Sequence, residues 1–205
     1  MWNYEKRLQY PIKITTTCPT AASIIISQYG GPDGELGASL RYLSQRYTMP
    51  CKEVAGLLTD IGTEELGHME MICAIVYQLT KNLTLEEAKT QGFDKYYVDH
   101  TTAIWPQAAG GIPFNACEFQ SKGDAITDLH EDLAAEQKAR TTYDNILRLV
   151  DIPEVREPIR FLRAREIVHF QRFGEALEKT KDKLDAKNFY FTNPEFDKNV
   201  SVSMP

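Results

Sequence analysis

Residues 54–79 read VAGLLTDIGTEELGHMEMICAIVYQL, and the order of apolar positions in this stretch decides the fold. Val54, Leu58, Ile61, Ile72, Ile75 and Leu79 recur at steps that suit a helix with one buried face. Glu65 and His68 continue the same stripe, at positions that the pattern otherwise gives to hydrocarbon. Residues three apart on a helix share a face, so Glu65-Leu66-Gly67-His68 aims a carboxylate and an imidazole at one point. A second such pair, Glu166-Ile167-Val168-His169, interrupts the stripe of Val155, Ile159, Leu162, Phe173 and Ala176. Glu35 precedes Glu65 by 30 residues, and Glu136 precedes Glu166 by the same 30.

Outward from these pairs, four helices are expected. Gly30-Gly31-Pro32-Asp33-Gly34 punctuates the chain, with Asp33 as N-cap of a helix that carries Glu35 and reaches Tyr47. The 54–79 helix is the second. A third spans Asp124 to Val150 with Ile126, Leu129, Leu133, Glu136, Arg140, Tyr143, Leu147 and Val150 inward. A fourth spans Pro153 to Lys183, Pro153 fitting its first turn. Residues 82–121 lack a helical period and contain Gly92, Trp105-Pro106, Gly110-Gly111 and Pro113, so they read as a crossover between two antiparallel helix pairs. Before the bundle, residues 1–19 form an extended arm in which Pro11 and Pro19 oppose helix, and Thr20–Gln28 forms a short apolar helix or turn. Residues 184–205 are an irregular tail. The whole, 1–205, reads as a single all-α domain whose bundle occupies 33–183.

Composition excludes several classes. A net charge of −6 with no basic stripe argues against nucleic acid. Met1-Trp2-Asn3-Tyr4-Glu5-Lys6-Arg7 does not begin a signal peptide, and Ile24-Ile25-Ile26 is too short to span a bilayer. Cytoplasmic synthesis with no membrane partner is therefore the expectation. Cys18, Cys51, Cys73 and Cys117 form no C-x-x-C pair and are expected to be reduced core thiols.

A lone Glu-x-x-His is common on solvated helices. Two on inward stripes are a different matter, because unpaired buried ions cost several kcal/mol each. Two divalent cations would supply the compensating charge, in the arrangement of ferritin-like di-iron and di-manganese proteins. The competing arrangement neutralises the glutamates with Arg140 and with Arg163 or Arg165, which leaves both histidines without a role. Glu64 falls one step off the stripe and is expected to support the site or face solvent. Asp60 and His130 read as exposed, and His100 has no partner identifiable by sequence. Tyr42 shares the face of Glu35; it reads as a core tyrosine, with a hydrogen bond to a metal-bound carboxylate as the alternative.

The segments Gly30-Gly31-Pro32-Asp33-Gly34-Glu35-Leu36, Leu58-Thr59-Asp60-Ile61-Gly62-Thr63-Glu64-Glu65-Leu66-Gly67-His68, Ala135-Glu136 and Arg165-Glu166-Ile167-Val168-His169-Phe170 resemble those of manganese catalases, most closely the short form found in bacterial spore coats. The resemblance implies a ferritin-like four-helix bundle with two manganese ions per subunit. Glu35 and His68 would bind one ion and Glu136 and His169 the other, with Glu65 between them. Glu166 would stand outside the ligand set and shuttle protons. The implied reaction is disproportionation of hydrogen peroxide into oxygen and water, in a homo-oligomer, a hexamer by resemblance, assembled into the spore coat with other coat proteins. The short segment after the last helix departs from longer members, whose C-terminal regions clasp neighbouring subunits. A structural coat protein with a stabilising or vestigial dimetal site, and a di-iron oxidase or iron-storage protein, are the alternatives.

Overall fold

Every long periodic segment becomes a helix in the computed structural model, which describes residue 5 and residues 7–97, 104–118 and 120–184. The elements are α1 (Pro19–Ile25), α2 (Ser27–Gly30), α3 (Glu35–Gln45), α4 (Lys52–Thr80), α5 (Leu85–Thr90), α6 (Ala125–Leu149) and α7 (Pro153–Leu184). Short 3-10 turns occupy Arg46–Thr48, Asp94–Tyr97 and Ala116–Glu118. The architecture is the ferritin-like four-helix bundle: α3 packs along α4, α6 along α7, and the pairs meet through α4 with α7 and α3 with α6. The long crossover joins the two pairs. Among the described residues no helix is long and apolar enough to cross a membrane.

Two apolar clusters fill the bundle. One joins Tyr42, Val54, Leu58, Ile61, Leu129 and Phe173. The other joins Ile72, Ile75, Leu79, Tyr143, Ile146, Ile159 and Leu162 with Ile25 of α1 and Phe93 and Tyr96 of the crossover. Along α4 and α7 the Glu-x-x-His pairs fall between these two sets. The bundle therefore encloses a polar layer with hydrocarbon on both sides.

Local detail departs from the expectations at several points. Gly34, not Asp33, caps α3, and Glu35 is the first helical residue. A Cβ on Gly34 would lie 2.9 Å from the carbonyl oxygens of both Gln28 and Ser27, so the approach of α2 leaves room only for glycine there. A carboxylate in the first turn also suits the positive end of the helix dipole. Pro19 opens α1 rather than opposing helix, since the first turn needs no N–H from it. The apolar segment after it divides into α1 and α2.

The crossover carries a helix that its glycines and prolines masked. The Thr84 hydroxyl accepts from Glu87 N, and the Glu87 carboxylate accepts from Thr84 N at 2.8 Å, a capping box that starts α5. On α6 the stripe lies differently from the expected one. Arg140, Leu133 and Leu147 are only half-buried, while Asp132, Ala139 and Ile146 are inside. A pattern drawn from large apolar residues passes over a buried Asp and Ala. Arg140 sits at the edge of the buried face, where its guanidinium reaches Asp144 at 2.8 Å. The cysteines are free but are not core residues: Cys18, Cys51 and Cys73 are half-buried and Cys117 is exposed.

The arm from residue 7 is extended and docked on α4. Gln78 accepts from Ile14 N at 2.7 Å and donates to Ile12 O at 3.1 Å, which seats Ile12 and Ile14 in the core. Of the expected tail, 184–205, Leu184 still belongs to α7, and the remainder, like His100, lies outside the described residues.

Gly30 is where the crossover touches the entry to the bundle. An added Cβ would meet Gln107 N and Pro106 C, both at 2.3 Å, and both are backbone atoms. Gly30→Ala is expected to destabilise the chain by about 1–3 kcal/mol. Gly56, exposed on α4 with nothing within 4 Å of such a Cβ, gives the opposite sign: Gly56→Ala should stabilise by about 0.5–1 kcal/mol through helix propensity. Urea unfolding of the two variants beside the parent chain measures both.

Candidate metal centre

The polar layer is built by four helices, each contributing at the height its apolar stripe dictates. Glu35 comes from α3, Glu65 and His68 from α4, Glu136 from α6, and Glu166 and His169 from α7; all six are buried. All six residues expected from the sequence therefore lie in one layer. Glu65 is central. One of its oxygens lies 2.6 Å from His68 Nδ1 and the other 2.8 Å from His169 Nδ1. Glu35 flanks the first imidazole, 3.8 Å from His68 Nδ1, and Glu136 flanks the second, 3.6 Å from His169 Nδ1. The rings stack with centroids 5.6 Å apart and planes 21° from parallel. One potential ligand atom from each of Glu65, His68, Glu166 and His169 lies within 4.8 Å of the others, so Glu166 belongs to this close group as much as Glu65 does.

Two tyrosines complete the layer. The Tyr42 hydroxyl, on α3, donates to Glu136 on α6, and the Tyr143 hydroxyl, on α6, donates to Glu35 on α3. Tyr42 is thus more than a core residue. Tyr143 was legible only as part of the inward stripe, although a signal existed: each tyrosine stands seven residues after a glutamate of the repeat, Glu35 to Tyr42 and Glu136 to Tyr143. Asp132, four residues before Glu136 and buried, also escaped the apolar pattern.

The arginine arrangement does not form. Arg140 pairs with Asp144 at 2.8 Å, Arg163 with Asp144 at 2.5 Å, and Arg165 with Glu64 at 2.8 Å. Glu64 supports the site from outside: it accepts from His169 Nε2 at 3.2 Å and lies 3.5 Å from His68 Nε2. Asp60 is exposed and pairs with Arg172 at 2.9 Å, and His130 is exposed, both as expected.

Protonation shows how far this cluster is from balance. Burial pushes the Glu35 carboxyl well above the ordinary range, the Glu65 charge adds to this, and His68 and Tyr143 oppose it. Glu166 is likewise raised, by burial and then by Glu35, Glu136 and Glu65. Glu136 is raised by burial, against the pull of His169. Burial opposes the Glu65 charge too, but His169 and His68 outweigh it and hold that carboxyl well below the usual range. For His68, burial disfavours the imidazolium, yet Glu65 foremost, with Glu64 and Glu35, lifts it to about 10. His169 is raised by the same contest, with Glu65 ahead of Glu136 and Glu64.

The residues fit a pair of divalent cations. Glu65 Oε1, Glu136 Oε2, Glu166 Oε1 and His169 Nδ1 are buried without hydrogen-bond partners. The close approach of His169 Nδ1 to Glu65 Oε1 is an ion-pair distance without hydrogen-bond alignment, so both remain in that set. Cations would take up these lone pairs and answer the carboxylate charge, and carboxylate with imidazole suits manganese and iron alike.

The family model described as "Manganese containing catalase" matches residues 1–199, and the chain belongs to the manganese catalase family. It is 54% identical over 190 residues to Protein CotJC of Bacillus subtilis (strain 168), covering 93% of this chain and all of that one. It is 33% identical over 194 residues to the "Probable manganese catalase" of Clostridium acetobutylicum, covering 94% and 86% of the two chains. The fold is similar to the crystal structure of wild type KatB, a manganese catalase from Anabaena, with a TM-score of 0.83 and 27% identity over 100% of this chain and 94% of that one.

A metal-bound nitrogen must be free of its proton, so metal uptake here must release protons. The raised histidines stabilise the metal-free chain fully below about 6.5, and His68 loses its share as pH rises through about 10. Manganese(II) affinity should therefore fall as pH is lowered from about 8 to about 6, with about two protons or more released per chain. Calorimetric titration in buffers of different ionisation enthalpy reads this directly. A buffer-independent enthalpy would contradict the proton inventory.

Proposed function

We propose that the chain is a dimanganese catalase that converts two molecules of hydrogen peroxide into one of oxygen and two of water. The observation that carries this is Glu65, which spans the Nδ1 atoms of two histidines from opposite helix pairs while Glu35 and Glu136 flank them. Family membership and the likeness to KatB support it. In this reading Glu35 and His68 would hold one manganese and Glu136 and His169 the other, with Glu65 shared between them. Bound there, two manganese ions would supply two-electron redox chemistry between the divalent and trivalent states.

The protein contributes position and protons. Tyr42 and Tyr143 each donate to the glutamate of the opposite helix, which leaves Glu136 Oε2 unpartnered and Glu35 Oε2 facing His68 Nδ1 at 3.8 Å. Glu166 keeps one oxygen without a partner, and burial favours its protonated form. It takes protons from the peroxide that is oxidised and returns them to the peroxide that is reduced, as a general acid and base with a raised pKa does. The apolar clusters above and below limit water in the layer.

A second reading, placement in the bacterial spore coat after cytoplasmic synthesis, is favoured by the 54% identity to CotJC and by the resemblance to the short coat form. It is compatible with catalysis, with assembly as a homo-oligomer, a hexamer by analogy, and with contacts to other coat proteins.

Oxygen evolution from peroxide after manganese loading tests the reading. Glu65→Ala and His169→Ala should abolish it, and activity that survives both substitutions would sink the assignment. Glu166→Gln should retain two manganese per chain and lose at least about a hundredfold in rate, the scale of a missing general acid and base. If both ions are lost instead, Glu166 is a ligand.

A further inference from the structure

We infer that Glu64 is a positioning residue shared by both metal positions: one carboxylate fixes the two histidines by their Nε2 edges and thereby turns both Nδ1 atoms to the metals. The inference rests on the dimanganese reading and deepens it. Its basis is the orientation of the rings. Both Nδ1 atoms face Glu65, at 2.6 and 2.8 Å, and both Nε2 atoms face Glu64: His169 Nε2 is hydrogen-bonded to it at 3.2 Å, and His68 Nε2 lies at an ion-pair distance of 3.5 Å. Two consecutive residues of α4 thus bracket a stacked pair of imidazoles from opposite edges, each carboxylate giving one oxygen to each ring.

A histidine that binds metal through Nδ1 carries its proton on Nε2, and a carboxylate acceptor there fixes both tautomer and ring angle. Glu64 is itself held. Arg165 grips it with two bonds, Nε to Oε1 at 2.8 Å and Nη2 to Oε2 at 3.2 Å, and Gln9 of the arm donates to Oε1 at 3.2 Å. A bidentate guanidinium fixes the plane of a carboxylate as well as its place. Glu64 is therefore kept from swinging inward to compete with Glu65. An open groove of about 940 Å³, lined by Arg7, Gln9, Phe161 and Arg165 among others, lies on its far side, so Glu64 is the layer between this groove and the imidazoles.

The Glu64 carboxylate accepts from His169 Nε2, the Arg165 fork and the Gln9 amide, and His68 Nε2 stands 3.5 Å away at an ion-pair distance without hydrogen-bond alignment. A glutamine has the same shape but presents an NH2 to some of these donors. Glu64→Gln should therefore drive one ring to its other tautomer, with the proton on Nδ1 where the metal must bind. The expected result is a manganese(II) isotherm, read from the electron paramagnetic resonance of the free ion, in which at least one of the two ions binds roughly tenfold or more weakly than in the parent chain. Thermal unfolding of the metal-free variant near the parent midpoint shows that it is folded. A folded Glu64→Gln with the parent isotherm overturns the inference alone, whereas a parent chain that takes up no manganese overturns the catalytic reading and this inference together. Should Glu64→Gln not fold, Arg165→Gln carries the test. It leaves the carboxylate in place without its clamp, should weaken uptake at least about threefold, and overturns the inference if uptake is unchanged.

Discussion

Everything in this bundle answers to the burial of acids. Glu35, Glu65, Glu136 and Glu166 occupy one layer with hydrocarbon above and below, and only two imidazoles among the described residues lie between them. Like charges at this proximity in a weakly polar interior repel strongly, and the interior offers little water to screen them. The protein alone meets the difficulty by redistributing protons, raising Glu35 and Glu166 and giving the charge to Glu65 between two imidazolium rings. Cations would resolve the same conflict and expel those protons, which ties the folding problem to the candidate metal site.

The apolar framework was readable because its helices are long and their faces continuous. The stripe from Val54 to Leu79 gave α4 almost to its ends, and Asp124, whose side chain accepts from Thr127 N, marks the start of α6 as its sequence suggests. The six acidic and imidazole residues were legible for a related reason: a polar residue on an apolar stripe is conspicuous. Tyr143 is not conspicuous, since a tyrosine belongs in a core. Its role depends on where its hydroxyl ends, which is on another helix 108 residues away in sequence. Arg165 with Glu64 is equally a tertiary pairing, with no local pattern to announce it. The capping box of Thr84 and Glu87 was a local signal and was obscured by the glycines and prolines around it.

The internal repeat is approximate in a way that the geometry makes specific. Each helix pair supplies a glutamate, a tyrosine and a Glu-x-x-His, yet the two Glu-x-x-His glutamates differ. Glu65 is ion-paired to both rings, while Glu166 keeps a free oxygen and is pushed toward its neutral form. Their neighbours differ too: Glu64 precedes the first and Arg165 the second, and these two bind each other across α4 and α7. A carboxylate next to Glu65 and a cation next to Glu166 link the helices on the solvent side of the layer.

The exchange of tyrosines bears on how the protein comes together. The first pair of helices cannot satisfy Glu35 without Tyr143 of the second, and the second cannot satisfy Glu136 without Tyr42 of the first. Neither hairpin is self-sufficient. The crossover between α4 and α6 is thus a tether, which holds each half at a high effective concentration near the other and makes their meeting unimolecular. Cut there, the same residues would face a bimolecular association, and the centre would become dependent on protein concentration as well as on metal.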